Sequence, residues 1–262
     1  MNVVITGSSR GIGFGMAKEF LKNGHKVLIN STSVEKLNIA TEKLKEYSEN
    51  IARLVLSVNE PNFVDRAFDI MNERFGGVDI WLNNAGISQP YFNVHEISDE
   101  IIENILKTNL ITVANITKKV YSKMNAVRGG KIFNMEGFGS DGRMGHKMTI
   151  YGTSKRALTY FTESFAKEVG GKKVQICRMS PGMVITDFIV SPMEHANEKE
   201  IKQFHSIFNI LGSKVDEVAH FLYKGIMRSK KNNDSINFLT TPKILFRFVR
   251  HLFSPRNYFE NK

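Results

Sequence analysis

The sequence predicts a single α/β domain wound on both sides of a parallel sheet, and three observations predict it. Short β-rich apolar runs alternate with helical stretches from residue 2 to residue 179. A glycine-rich turn separates the first such pair. Asparagines and small hydroxyl residues fall where the strands should end. Strands alternating with helices require right-handed crossovers that cover both faces of a parallel sheet. Ligands of such sheets bind beyond the carboxyl ends of the strands.

Residues 2–6 form an apolar run that stops at the turn, and residues 12–23 carry apolar positions at helical spacing with Gly24 as a cap. Residues 26–30 are the second strand. A helix over 33–47, a strand at 53–58, a helix over 62–75 and a strand at 79–83 follow. A long helix near 101–125 precedes a strand at 131–134, and a helix over 149–169 leads to a strand at 173–179. Residues 229–234 read as a polar turn. The 262 residues suit one core, and with 6 prolines, no Gly/Ser tract and no repeat there is no sign of a linker.

The lone cysteine, Cys177, cannot form an internal disulfide, which points to a reducing compartment. The first strand starts at Asn2, leaving no space for a leader, and no apolar run approaches the roughly 20 residues of a spanning helix. A cytoplasmic protein is expected, with no metal site. The net charge of +10 suits a phosphate-bearing ligand, nucleic acid or an anionic membrane. Scattered cations and no recognised module argue against nucleic acid.

The turn Gly7-Ser8-Ser9-Arg10-Gly11-Ile12-Gly13 gives a tight passage from strand to helix. It also lets a pyrophosphate approach backbone N–H groups at a helix N-terminus, the arrangement of a Rossmann-type fold. Arg10 lies inside the turn, and the second strand ends in Asn30-Ser31-Thr32 without a carboxylate. A carboxylate there would bind the ribose hydroxyls of NAD, so a cation with Ser9 and Thr32 beside it favours the extra phosphate of NADP(H). Asn83-Asn84-Ala85-Gly86 ends the fourth strand: the carboxamides can bind strand-end backbone groups, and Ala85 and Gly86 leave space for a cofactor. Tyr151 and Lys155, four apart, share a helical face on which an ammonium can lower the phenol's pKa. The spacing is not specific by itself, since Tyr258 and Lys262 repeat it.

Taken in order, the Thr6 to Gly13 turn, Asn83 to Gly86, Asn109, Tyr151 with Lys155, and the segment Ser180-Pro181-Gly182-Met183-Val184-Ile185-Thr186 resemble the short-chain dehydrogenase/reductase family over nearly the whole chain. The resemblance implies that Tyr151 is the general acid or base, that Lys155 lowers its pKa and holds the nicotinamide ribose, and that Asn109 anchors a relay water. It also implies that Pro181, Gly182, Val184 and Thr186 bind the carboxamide and pyrophosphate ends of the cofactor, that Val58 lies at the adenine, and that the chain forms a homodimer or homotetramer through its long helices. Segments 79–86, 133–137, 139–143, 180–183 and 236–242 are similar to the chlorophyll b reductase branch, which reduces a ring formyl group to a hydroxymethyl group. A bulky apolar carbonyl or alcohol substrate is therefore expected. The alternative is an NADP(H)-binding regulatory or scaffold protein that has lost catalysis.

Two departures qualify the resemblance. Glu136-Gly137 stands where the family has a serine pair, and the usual interval before Tyr151 falls on Phe138, leaving Ser140, Glu136 or a water as partner of the substrate oxygen. Ser57-Val58 stands where an aspartate commonly meets the adenine. Residues 188–211, with Phe188, Met193, Phe204 and Phe208, are the expected substrate lid, and 236–262 a C-terminal extension. Within it, residues 243–253 form an amphipathic helix with Lys243, Arg247, Arg250 and His251 opposite Leu245, Phe248, Val249 and Leu252. Such a helix either packs on its own domain or makes peripheral contact with an anionic membrane.

Overall fold

The computed structural model describes residues 1–259, so the end of the 236–262 extension, Lys262 included, lies outside the described residues. Seven strands, β1 (Asn2–Ile5), β2 (Lys26–Ser31), β3 (Ile51–Val55), β4 (Ile80–Asn83), β5 (Gly130–Met135), β6 (Val174–Ser180) and β7 (Ser235–Asn237), form one parallel sheet in the order β3-β2-β1-β4-β5-β6-β7. The chain steps outward from β1 to β3 and then crosses back to place β4 on the other side of β1. A crevice opens at this reversal, beyond the carboxyl ends of β1 and β4.

Every residue of β1 and β4 is buried, as expected of strands covered on both faces. Val3 and Ile5 face a core shared with Met16 and Phe20 of α1 (Gly11–Lys22) and with Leu222 and Ile226 of α9 (Val215–Arg228). Val4 and Trp81 face the opposite core, with Phe63 and Met71 of α3 (Phe63–Phe75) and Val120 and Met124 of α5 (Thr112–Ala126). Trp81 stacks on Phe68 with ring centroids 5.8 Å apart, and its indole N–H donates to Asn83 Oδ1 at 2.8 Å.

Several expectations need correction. β3 begins two residues earlier than 53, with Ile51 paired to Val27, and Asn30 Nδ2 donates to the carbonyls of Leu54 and Leu56 at its end. Ser57 and Val58 therefore lie past the strand, at the crevice. The helix expected over 101–125 is α4 (Asp99–Leu106) and α5 joined by a wider π turn, Lys107–Ile111, that contains Asn109. α2 (Val34–Lys43) is shorter than expected and is capped by Ser33, whose hydroxyl accepts from Lys36 N–H. α6 (Thr149–Val169) has the expected span. α7 (Asp187–Val190), α8 (Glu198–Leu211), α9 and β7 were not anticipated individually, although Asn197 and Glu200 form a reciprocal capping box at α8.

The C-terminal helix α10 (Thr241–Phe253) packs on the body through its basic face. Arg247 is 7% exposed; its guanidinium donates to Leu211 O at 2.5 Å and to Ser213 Oγ at 2.8 Å. Arg256 reaches the carbonyls of Gly212, at 3.2 Å, and Ile210. The last carbonyls of α8 have no intrahelical partner, and its C-terminus is the negative pole of the helix dipole. Cations are therefore what this surface accepts. Lys243 Nζ sits 3.3 Å from the centroid of the Phe238 ring, a cation–π contact. The apolar side of α10 is left facing outward.

Candidate active site

The glycine turn is fixed by groups that the strand ends supply. Thr6 Oγ1 accepts from the N–H groups of Asn84 and Ala85 at 3.0 and 2.9 Å, and Asn84 Nδ2 donates to the carbonyls of Thr6 and Gly7 at 2.8 and 3.0 Å. Gly7 N–H donates to Asn30 Oδ1 at 3.1 Å. Gly13 lies so close that a Cβ there would fall 2.5 Å from Asn84 Nδ2, which excludes any larger residue without displacing the carboxamide. Beneath this layer Asn83 donates to Asn134 Oδ1 at 2.8 Å and Asn134 to Thr162 Oγ1 at 2.9 Å, a buried ladder joining β4, β5 and α6.

The first turn of α1 carries no acidic side chain, and its cap, Arg10, makes no side-chain capping bond. Its free N–H groups point toward the crevice end and suit an anion. Around it stand Ser9, Ser31, Thr32 and two cations, Arg10 and Lys36. Arg10 ion-pairs with Asp187 at 3.5 Å, both side chains largely exposed. Lys36 was not singled out from the sequence; its position, five residues after β2 ends at Ser31 and in the first turn of α2, was the signal that could have found it.

All the cofactor candidates line one cavity of about 1300 Å³: Gly7, Ser9, Arg10, Gly11, Ile12 and Gly13 at the turn; Thr32 and Val58 at one end; Asn84, Ala85 and Gly86 on the floor; and Pro181, Gly182, Val184 and Thr186 at the wall, with Tyr151 and Lys155. Asn109 lies behind Gly86. Its Nδ2 donates to Ile87 O at 2.9 Å and its Oδ1 accepts from Ile87 N–H at 2.9 Å, so the carboxamide anchors the π turn to the β4 loop.

Tyr151 is buried at the start of α6, and sequence reasoning missed what holds it there. Gln89, wholly buried in the loop after β4, accepts with Oε1 from the N–H groups of Ile150 and Tyr151 at 2.9 and 3.0 Å, and donates with Nε2 to Lys147 O at 2.8 Å. It caps α6 from about sixty residues away, beyond the reach of any local capping pattern. Lys147 in turn pairs with Glu200 of α8 at 2.7 Å.

Burial pushes the Tyr151 phenol well above its ordinary range and the Lys155 ammonium down to about 8, the Glu136 carboxylate opposing the latter. Lys155 Nζ donates to Met135 O at 3.1 Å and lies 5.7 Å from the Tyr151 ring centroid. The departure from the family pattern has a steric counterpart. A Cβ on Gly137 would fall 2.3 Å from the Tyr151 oxygen, so the phenol fills the space a side chain would need. The Ser140 hydroxyl accepts from Gly137 N–H at 3.1 Å and reaches Lys155 O at 3.5 Å, bonds that serve the loop. Glu136, 7% exposed, accepts from Thr159 Oγ1 at 2.8 Å and lies 3.5 Å from Arg178, which also pairs with Glu163 at 2.6 Å.

Opposite the phenol the cavity is roofed by Phe188, Met193, Phe204, Ile207 and Phe208 from the expected lid. The Phe188 ring meets Tyr151 edge-on with centroids 5.9 Å apart. The arrangement places a phenol that can release or take a proton beside an ammonium, between a helix terminus suited to an anion and an apolar chamber.

A family model described as short chain dehydrogenase matches residues 1–197. The chain is 36% identical over 267 residues to chlorophyll(ide) b reductase NOL of Oryza sativa subsp. japonica, covering 97% of this chain and 76% of that protein. It is 33% identical over 266 residues to the probable chlorophyll(ide) b reductase NYC1 of the same organism, where 95% of this chain spans only 51% of the relative. Among solved structures it is similar to ElxO with NADP bound, with a TM-score of 0.77 and 26% identity, covering 90% of this chain and 96% of that one.

Proposed function

The chain belongs to the short-chain dehydrogenase family of oxidoreductases, and on that premise we propose that it interconverts a carbonyl and an alcohol on a bulky apolar molecule with NADP(H). One observation carries this reading: a single cavity runs from the glycine turn past Tyr151 and Lys155 to a roof of aromatic and aliphatic side chains.

The residues present fit the cofactor by their chemistry. The open N-terminus of α1 suits a pyrophosphate, and Arg10 and Lys36 with Ser9, Ser31 and Thr32 suit a 2′-phosphate, no carboxylate standing at the end of β2. When bound, NADPH supplies the hydride. Tyr151, kept protonated by burial, gives its proton to the carbonyl oxygen, and in the reverse direction takes it back. The Lys155 cation stabilises the phenolate left behind, and the apolar roof excludes water and orients the ring or chain that bears the carbonyl. The likeness to chlorophyll(ide) b reductases and the roof together favour a formyl group on a large ring. Pairing of two copies through α5 and α6, on which Tyr160 is 74% exposed, is part of the same proposal, and a monomeric mass in solution would exclude it.

Single-turnover oxidation of NADPH, followed at the nicotinamide absorbance, tests the reading on a panel of aldehydes that includes chlorophyllide b. Turnover that falls as the aldehyde shrinks is expected. Tight NADPH binding with no turnover on any member would replace the enzyme reading with a cofactor-binding regulatory role.

A further inference from the structure

The outward side chains of α10 do not line the cavity. Leu245, Phe246, Phe248, Val249, Leu252 and Phe253 are between 42% and 84% exposed, a third of the large exposed apolar side chains among the described residues, all from one 13-residue helix. Scattered exposed apolar residues are ordinary, but a continuous stripe of this size on one helix marks a contact surface. The stripe faces outward because Arg247 and Lys243 are committed to the C-terminus of α8 and to the Phe238 ring.

We propose that α10 is an interfacial helix that rests in the headgroup region of an anionic bilayer. Three features favour that occupant. From residue 235 to residue 259 the chain has no Asp or Glu, and while Lys243, Arg247 and Arg256 are held against the body, Arg250 stays exposed at the edge of the stripe, within a molecule of net charge +10. Anionic headgroups complement that field. Two copies meeting through the stripe would set the Arg250 of each at the seam with no Asp or Glu of residues 235–259 to pair it. At 13 residues the helix is about 20 Å long, too short to cross a bilayer but suited to lying in its plane. Finally, α10 begins where the cavity ends: Leu239, Thr240 and Thr241 line the cavity wall, and α10 packs on α8, whose Phe204 and Phe208 form the roof. A bilayer under α10 would lie beside the wall and roof of the cavity that holds Tyr151.

The test is co-sedimentation of the full chain with vesicles of equal parts phosphatidylcholine and phosphatidylglycerol, against phosphatidylcholine alone. Preferential binding to the anionic vesicles, weakened by salt, is expected. The triple variant Leu245→Ser, Leu252→Ser, Phe253→Ser alters side chains 67%, 79% and 84% exposed, so the fold and NADPH affinity should be retained while vesicle affinity drops at least about tenfold. Absence of binding by the unaltered protein, equal binding to neutral vesicles, or a variant that binds as before would overturn the proposal. So would a variant that turns an oligomer into a monomer without altering vesicle binding, since the stripe would then be covered by a second copy.

Discussion

The two ends of the cavity are built differently. At the cofactor end, Thr6, Asn30 and Asn84 hold the glycine turn through short bonds between adjacent strands, each made by a residue at or next to a strand terminus. At the substrate end, Tyr151 is held by Gln89 from another loop, Lys147 is tied to Glu200 across to α8, and Gly137 yields its side-chain space to the phenol. The first end is a property of the sheet. The second is assembled from segments far apart in sequence, and so it can vary while the cofactor end stays fixed. Substitutions at the two ends should therefore separate cofactor affinity from turnover.

The largest effect belongs to Tyr151→Phe. With the Tyr151 hydroxyl removed, the single-turnover rate should fall by about 10³-fold or more, with NADPH affinity nearly unchanged by fluorescence titration. Next comes Gly137→Ala. Its Cβ, 2.3 Å from the phenol oxygen, must displace the tyrosine, and a misplacement of about 1 Å costs on the order of 10²-fold in kcat. A loss in KM alone, with kcat intact, would show that Tyr151 has room to move. At the other end, Arg10→Ala with Lys36→Ala should weaken NADPH binding by about tenfold, or ~1.4 kcal/mol, and leave NADH binding as it was. Equal losses for both cofactors would remove the 2′-phosphate assignment. Gln89→Ala leaves two buried N–H groups at the start of α6 uncapped. A loss of about 1 to 2 kcal/mol in stability by denaturant titration is expected, with a several-fold lower kcat.

The same contrast explains what could be read from the chain. The sheet, the glycine turn and the strand-end asparagines were legible because each rests on local periodicity or on a few neighbouring residues. β3 was misplaced because the apolar run through Leu56 and Val58 outlasts the ladder, which Asn30 closes. The π turn was invisible because the bonds that tie it down, between the Asn109 carboxamide and Ile87, join residues 22 apart. Gln89 left no local trace for the same reason. For α10 the amphipathic pattern was correct, but the side that packs was not given by pattern. An apolar stripe normally turns inward; here the uncapped carbonyls of α8 select the cations instead.

The smallest expected effect is the one that best separates a charge role from a structural one at the substrate end. Glu136 stands where a hydroxyl is usual in the family, and its carboxylate raises the Lys155 pKa against the burial that brings it down to about 8. In the reduction direction the competent enzyme holds Lys155 as the cation, so its loss of a proton sets an alkaline limb in kcat/KM. Glu136→Gln keeps the side-chain volume and an acceptor for Thr159 but removes the negative charge. The ammonium is then less favoured, its pKa falls further, and the alkaline limb moves to lower pH, while below the limb kcat drops only a few-fold. Glu136→Asp, which restores the charge, should return the limb toward its original position. If Glu136→Gln lowers the rate equally at every pH, the carboxylate acts only by holding Arg178 and Thr159 in place, and the substrate end owes its proton chemistry to Tyr151 and Lys155 alone.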